Sequence, residues 1–344
     1  PPKTDYAKTL GQKNGSLALM STSQKSPWNW RPSTPIQMSP LFEWPLKPLA
    51  VYRWMKAAWH VISVRFAILS LSIFTWHYLQ PALERCASFE LSWILQIYGR
   101  NLVMMILVAG GLHLYYYTFS KQGSVRKFDH RNLARQKKSF LFNDQVKDNI
   151  FWTLASGVTI WTAYEVLLMW AFANGHAPLL MWQDNPVWFV VLFLLVPFYG
   201  SFHFFLIHRL LHWPPLYRRV HEVHHRNISV GPWSGISMHP VEHLLYLSGP
   251  LIQFVISSHP LHMLFQLQAK ALDACASHSG FESFVLDEKK IFKLGDFFHQ
   301  QHHRYFECNY GNIEVPIDRW TKSFHDGTDE ATDLLKQRLR EKIS

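Results

Sequence analysis

Two stretches of the chain, "HEVHH" (His221, His224, His225) and "HQQHH" (His299, His302, His303), each place three imidazoles at positions 1, 4 and 5. A third, "HRLLH", places two at His208 and His212. Fourteen of the twenty histidines fall between His203 and His303, so they are gathered, not scattered. On a helix, residues i, i+3 and i+4 share one face. Each group is therefore expected to offer two or three imidazoles in one direction. Neutral imidazole is a good ligand for first-row transition metals, and eight aligned imidazoles are more than one ion can take, so two metals are expected. His203 precedes His208 by five residues, about 140° round a helix of 3.6 residues per turn, and is read as a polar or packing residue.

A ligating imidazole is usually oriented through its other ring nitrogen. The acids nearest the boxes in sequence are Glu222, Glu242, Asp273 and Asp296, and Asp296 shares a helical face with His299 three residues later. The chain has no Gly-rich dinucleotide fingerprint after a strand and no cysteine pattern for haem or an iron–sulfur cluster. Electrons for redox chemistry would have to come from a separate carrier. Cys86, Cys275 and Cys308 have neither metal nor disulfide spacing, which fits a reducing compartment.

The elements that must position these side chains are those of a membrane protein. Of 344 residues, 15 are Trp and 25 Phe, while only 17% are charged. Val61–Leu79, Leu102–Phe119, Ile150–Ala173 and Val187–Ile207 are apolar runs, and about 20 residues cross the hydrocarbon core. Leu244–Leu267 is also apolar but is broken at Gly249-Pro250 and His259-Pro260. Its pieces are too short to cross, so they read as re-entrant or interfacial helices. Residues 121–138 carry seven Lys/Arg against one Asp, and Arg209, Arg218, Arg219 and Arg226 follow the fourth run, whereas the link between the third and fourth runs has none. The basic loops are therefore expected in the cytosol with both termini. The net charge of +10 is explained by this topology and by anionic lipid headgroups, with no nucleic acid partner implied.

"HRLLH", "HEVHH" and "HQQHH", with "HPVEH" and "HSGF" between them, resemble the fatty acid hydroxylase and sterol desaturase superfamily of membrane histidine-box di-iron oxygenases. The likeness covers roughly residues 188–327, and "NYGNIEVPIDRWTKSF" is similar to the segment that follows the last box in sterol desaturases. The resemblance implies ligands at His208, His212, His221, His224, His225, His299, His302 and His303, and further ones at His239 and His278. His243, one turn after His239, is a candidate ligand or orienting group. The resemblance also implies two iron ions, dioxygen as co-substrate and a lipid substrate. Its electron donor would be cytochrome b5 with its reductase in a eukaryote, or a ferredoxin in a bacterium. Localisation follows as endoplasmic reticulum or bacterial inner membrane.

These readings give an all-α multi-pass membrane protein with about four transmembrane helices and a cytosolic helical di-metal cap. The organisation is a disordered or surface segment (1–50), transmembrane helices with a basic cytoplasmic loop (51–186), a histidine-box catalytic domain (187–327) and a C-terminal tail (328–344). The function expected is desaturation or hydroxylation at an unactivated C–H bond of a sterol or long-chain lipid. The alternative class is an integral membrane metal-binding or metal-transport protein without redox chemistry, which would put its ligands at mid-membrane.

Overall fold

The computed structural model describes residues 28–287 and 289–341. Most of the expected N-terminal surface segment (1–50) lies outside these residues, as do the last three residues of the tail. Among the described residues, four helices are long and apolar enough to cross a membrane: Val61–Leu79, Leu91–Thr118, Gln145–Ala173 and Pro186–Leu211, referred to below as the first to fourth spans. The protein is thus a mostly helical, multi-pass membrane protein.

The second span starts at Leu91, well before the apolar run that announces it. Its early turns carry Arg100 and Asn101, which look too polar for a bilayer. Both are satisfied inside the bundle: Arg100 Nη2 lies 2.5 and 2.6 Å from the two carboxylate oxygens of Glu165 on the third span, and Asn101 Nδ2 donates to Thr162 Oγ1 and Glu165 Oε2. Gln80 completes the group by accepting from Arg100 and donating to Glu165. A charge excluded from water is tolerated when it is paired and hydrogen-bonded in this way.

The broken segment is re-entrant. It descends along the fourth span, where Tyr199 donates to Gly249 O and, farther along, Trp188 Nε1 donates to Ser257 O. The tip meets the link between the third and fourth spans, with Leu180 N donating to Ser258 O. The chain then turns at Pro260 and climbs back. This returning limb is longer than the short piece expected: Pro260–Gln268, Ala269–Asp273 and Ala274–Ser277 follow one another as one continuous helix, here the return helix. All nine residues of Pro260–Gln268 are buried. Leu264, Phe265 and Leu267 join Trp93, Met105, Trp161 and Met169 of the second and third spans in the main core. A Cβ on Gly235 would come within 2.3 Å of Ala274 O, so only glycine lets the loop after the second box cross the return helix here.

Two further features depart from the expected outline. Ser283–Leu286 and Lys289–Lys293 form an antiparallel hairpin, the one small sheet among the described residues. Phe284 and Phe292 face each other across it, a pairing that suits a pleated surface. Residues 28–40 lie across the histidine-bearing end, where Trp28 packs on Phe297, Ile36 N donates to Asp326 O and Ser39 N donates to Ile313 O. The C-terminal segment is helical over Asp329–Glu341.

Candidate metal centre

Among the described residues, the nitrogen atoms of nine histidines converge in two groups. His208, His212, His221, His225 and His302 form one; His224, His278, His299 and His303 form the other, with donor atoms of each group within 4.8 Å of one another. The boxes do not each point in a single direction, as their spacing first implied. The second box sends His221 and His225 to the larger group and His224 to the smaller, while the third sends His302 to the larger and His299 and His303 to the smaller. The reason lies in the helical period. At about 100° per residue, i+3 and i+4 lie on opposite sides of i, roughly 100° apart. An i/i+4 pair therefore serves one group, and i+3 turns toward its neighbour.

Five of the rings are aimed by a partner at Nδ1. A carbonyl oxygen can only accept, so an Nδ1 beside one carries the proton and leaves Nε2 as the ligand atom. His208 Nδ1 donates to Tyr310 O at 2.7 Å, His302 Nδ1 to Cys308 O at 2.6 Å, and His278 Nδ1 to Ala274 O at 2.9 Å. His224 Nδ1 faces Ser237 O at 3.4 Å. Of the four acids considered from sequence, Glu242 alone touches an imidazole, accepting from His221 Nδ1 at 2.8 Å. Asp296 instead caps the third-box helix Phe297–Tyr305 by accepting from Phe298 N. Asp273 pairs with Arg65, and Glu222 is exposed.

His239 stands outside both groups. It caps the helix Pro240–Tyr246, its Nδ1 accepting from Val241 N, so its extended backbone turns the ring away from the cluster. His243 is not available either. Its Nδ1 lies 3.0 Å from Ser156 Oγ and its Nε2 2.9 Å from Ile236 O. His203 contacts Ser248 Oγ at 3.0 Å, the polar role expected of it.

The donor set fits metal ions. His212, His225 and His302 hold their Nε2 atoms 3.0 to 3.1 Å apart pairwise, and His278 and His303 theirs 3.1 Å apart. Two imidazoles about 2.1 Å from one ion and at right angles stand about 3.0 Å apart, so the observed spacing is that of adjacent ligands. The buried Nε2 of His221 and Oε2 of Glu242 have no hydrogen-bond partner. Burial first, and then their mutual charge repulsion, holds His221, His225, His299, His302 and His303 well below the ordinary imidazole range, so all are neutral and ready to ligate. Burial likewise pushes the Glu242 carboxyl up, and a cation at His221 would offset that tendency.

The tail after the third box proves to be part of this centre. Asp318 accepts from Tyr310 N at 2.8 Å, from Gly311 N at 2.7 Å and from Ser323 Oγ at 2.6 Å. It thereby fixes the turn whose carbonyls at Cys308 and Tyr310 aim His302 and His208. Arg209 lies over the Tyr310 ring at 4.3 Å and braces the same turn. Replacing Asp318 with Ala should release both imidazoles and lower metal affinity or turnover roughly 10- to 100-fold, the usual cost of losing an orienting partner. Metal titration of the purified variant beside a control at the exposed Asp333, Asp333→Ala, checks this, and an unchanged affinity would remove Asp318 from the account.

A cavity of about 170 Å³ opens onto both groups, reaching His208 and His221 of one and His224, His278 and His299 of the other. Its walls run along single faces of the fourth span, from Val196 to Leu211, and of the return helix, from Phe265 to His278, and Val61 and Val64 of the first span close it. Fifteen residues of helix rise about 22 Å, so the cavity is elongated.

The fold and this centre define a class: membrane proteins with two convergent imidazole groups at one end of a helical bundle. Residues 189–323 match the family described as fatty acid hydroxylase. The chain is 27% identical over 165 residues to the Delta(7)-sterol 5(6)-desaturase of Saccharomyces cerevisiae, covering 46% of this chain and 44% of that one. It is 29% identical over 143 residues to the methylsterol monooxygenase 1 of Gallus gallus, covering 40% and 48%. A Delta(7)-sterol 5(6)-desaturase of Aspergillus fumigatus is 29% identical over 248 residues, 68% of each chain. Against the first two relatives the match spans less than half of their length. No solved structure gives a significant match. The match to the fatty acid hydroxylase family is confined to residues 189–323, and these relatives are sterol desaturases and a methylsterol monooxygenase.

Proposed function

We propose that this protein is a dioxygen-dependent di-iron oxidoreductase acting on an unactivated C–H bond of a sterol or other long-chain lipid, to leave either a double bond or a hydroxyl group. The observation that supports it best is the meeting of nine convergent imidazoles with an elongated cavity inside an apolar bundle. His208, His212, His221, His225 and His302 would hold one iron, and His224, His278, His299 and His303 the other; the pair supplies dioxygen activation when bound. The ten-histidine set drawn from the resemblance is reduced to these nine, with His239 outside it.

The protein's own residues confine and orient. Val61, Val64, Phe204 and Phe265 exclude water along the cavity and hold an apolar chain or ring. Glu242 and the carbonyls of Tyr310, Cys308 and Ala274 keep the protons of His221, His208, His302 and His278 on Nδ1. Two of the four electrons that reduce dioxygen come from the C–H bond and two from an external carrier, cytochrome b5 with its reductase or a ferredoxin. The exposed Lys121, Lys137, Lys138, Arg218 and Arg219 near the histidine-bearing end suit an acidic carrier. The same basic loops favour a cytosolic face for the centre, in the endoplasmic reticulum of a eukaryote or the inner membrane of a bacterium.

The groups lie where the fourth span ends, whereas a transporter would be expected to hold its ions at mid-depth. This favours the enzyme over a metal transporter. Metal analysis of the purified chain should give two irons. A stoichiometric zinc content, or metal flux into vesicles without dioxygen, would support the rival.

A further inference from the structure

The cavity has a second polar region that the histidine chemistry leaves unused. Gln266 on the return helix is 2% exposed, and both its Oε1 and its Nε2 lack a hydrogen-bond partner. One turn on, Lys270 is also buried, and its Nζ reaches only His203 Nδ1, at 3.4 Å, and the face of Tyr246, 4.6 Å from the ring centroid. Both residues line the cavity. Gly249 makes room for them, since a Cβ there would sit 3.0 Å from Gln266 Nε2 and 3.1 Å from Lys270 Cε. Buried polar groups are costly without partners, and an amide and an amine facing one cavity are completed by a ligand that brings hydrogen-bonding atoms.

We infer that Gln266 and Lys270 form a subsite for the hydroxyl group of an elongated lipid, holding its polar end while the carbon to be oxidised faces the histidines. This rests on the function proposed above. A hydroxyl both donates and accepts, which matches the two ends of the Gln266 amide, and Lys270 adds a donor. A carboxylate only accepts hydrogen bonds, so it would leave Gln266 Oε1 without a donor. The other cation of the wall, Arg65, is already bonded to Asp273 at 3.3 Å and to Glu314 at 3.1 Å, so its charge is committed. Lys270 precedes His278 by eight residues and touches His203, which precedes His208 by five, so the helical rise puts the hydroxyl on the order of 10 Å from the metal ligands. The bond attacked is thus remote from the hydroxyl.

The test is equilibrium binding of defined lipids to the purified full-length chain in detergent: cholesterol against cholestane, and octadecanol against octadecane and stearate. At least one alcohol should bind tenfold or more tightly than the hydrocarbon of the same skeleton. Gln266→Leu and Lys270→Met should each remove most of that advantage and leave hydrocarbon binding within twofold. Whichever pair shows the preference distinguishes a sterol from a fatty alcohol. Equal binding of alcohols and hydrocarbons by the unaltered chain, tighter binding of stearate than of octadecanol, or an alcohol preference that survives in the double variant would overturn the subsite. Binding is read without turnover, so a hydroxyl preference in a chain that oxidises no lipid would sink the proposed function and leave the subsite standing.

Discussion

Replacing His302 or His224 with Ala should abolish lipid oxidation, a loss on the order of 10⁴-fold or more, as for residues that act as one unit. The two changes probe different groups, His302 the group of five and His224 the group of four. His302 Nε2 lies 3.0 Å from His225 Nε2 and 3.1 Å from His212 Nε2, so its removal opens a closely packed triangle. The variants should still reach the membrane, because the four apolar spans are untouched. Each should also lose bound iron, which separates a missing ligand from a slowed chemical step. His77→Ala, an exposed position on the first span, should behave as the unaltered chain. Turnover retained by either cluster variant would refute the ligand set.

Topology yields an all-or-none result. Single cysteines placed at the exposed Ser124, Arg219 and Asp333 of a chain lacking Cys86, Cys275 and Cys308 should react with an impermeant reagent from one side only. Cysteines at the exposed Asn174 and Asp184 should react only from the other. The argument is geometric. The second box follows the fourth span, the third follows the return helix, and their imidazoles meet, so the segment between them must come back to the face it left. A hydrocarbon core about 30 Å thick admits no sharing of ligands across it. Reaction at Arg219 and Asp333 from opposite sides would mean that residues 244–267 cross, and the two-group centre would fall with that result.

The four spans were legible because apolar length is a strong signal, and so were the breaks at Gly249-Pro250 and His259-Pro260. The early start of the second span was hidden, since Arg100 reads as a loop residue until Glu165, 65 residues later, is seen to pair with it. Glu242 stood among the orienting acids proposed from sequence, and it is the one that touches a ring. The other orienting groups are main-chain carbonyls at Tyr310, Cys308 and Ala274, which any residue carries and only folding brings to the rings. The Asn-Tyr-Gly and Asp-Arg segments could have pointed to them, because a short polar turn and a following acid are a plausible clamp. The splitting of each box between two groups was implicit in the helical period but lost by treating i, i+3 and i+4 as one face. His239 shows the reverse error: a proline at the next position favours an extended residue capping a helix, which removes its ring from the cluster.

The proposed function is tested most directly by mass spectrometry of lipids extracted from cells that express the unaltered chain, the His302→Ala variant or neither. The unaltered chain should produce a lipid lighter by two hydrogens or heavier by one oxygen than its precursor, only when dioxygen is present, and the variant should match cells without the chain. Identical lipid profiles in all three, in cells where the unaltered chain carries two irons and an electron donor is supplied, would contradict it.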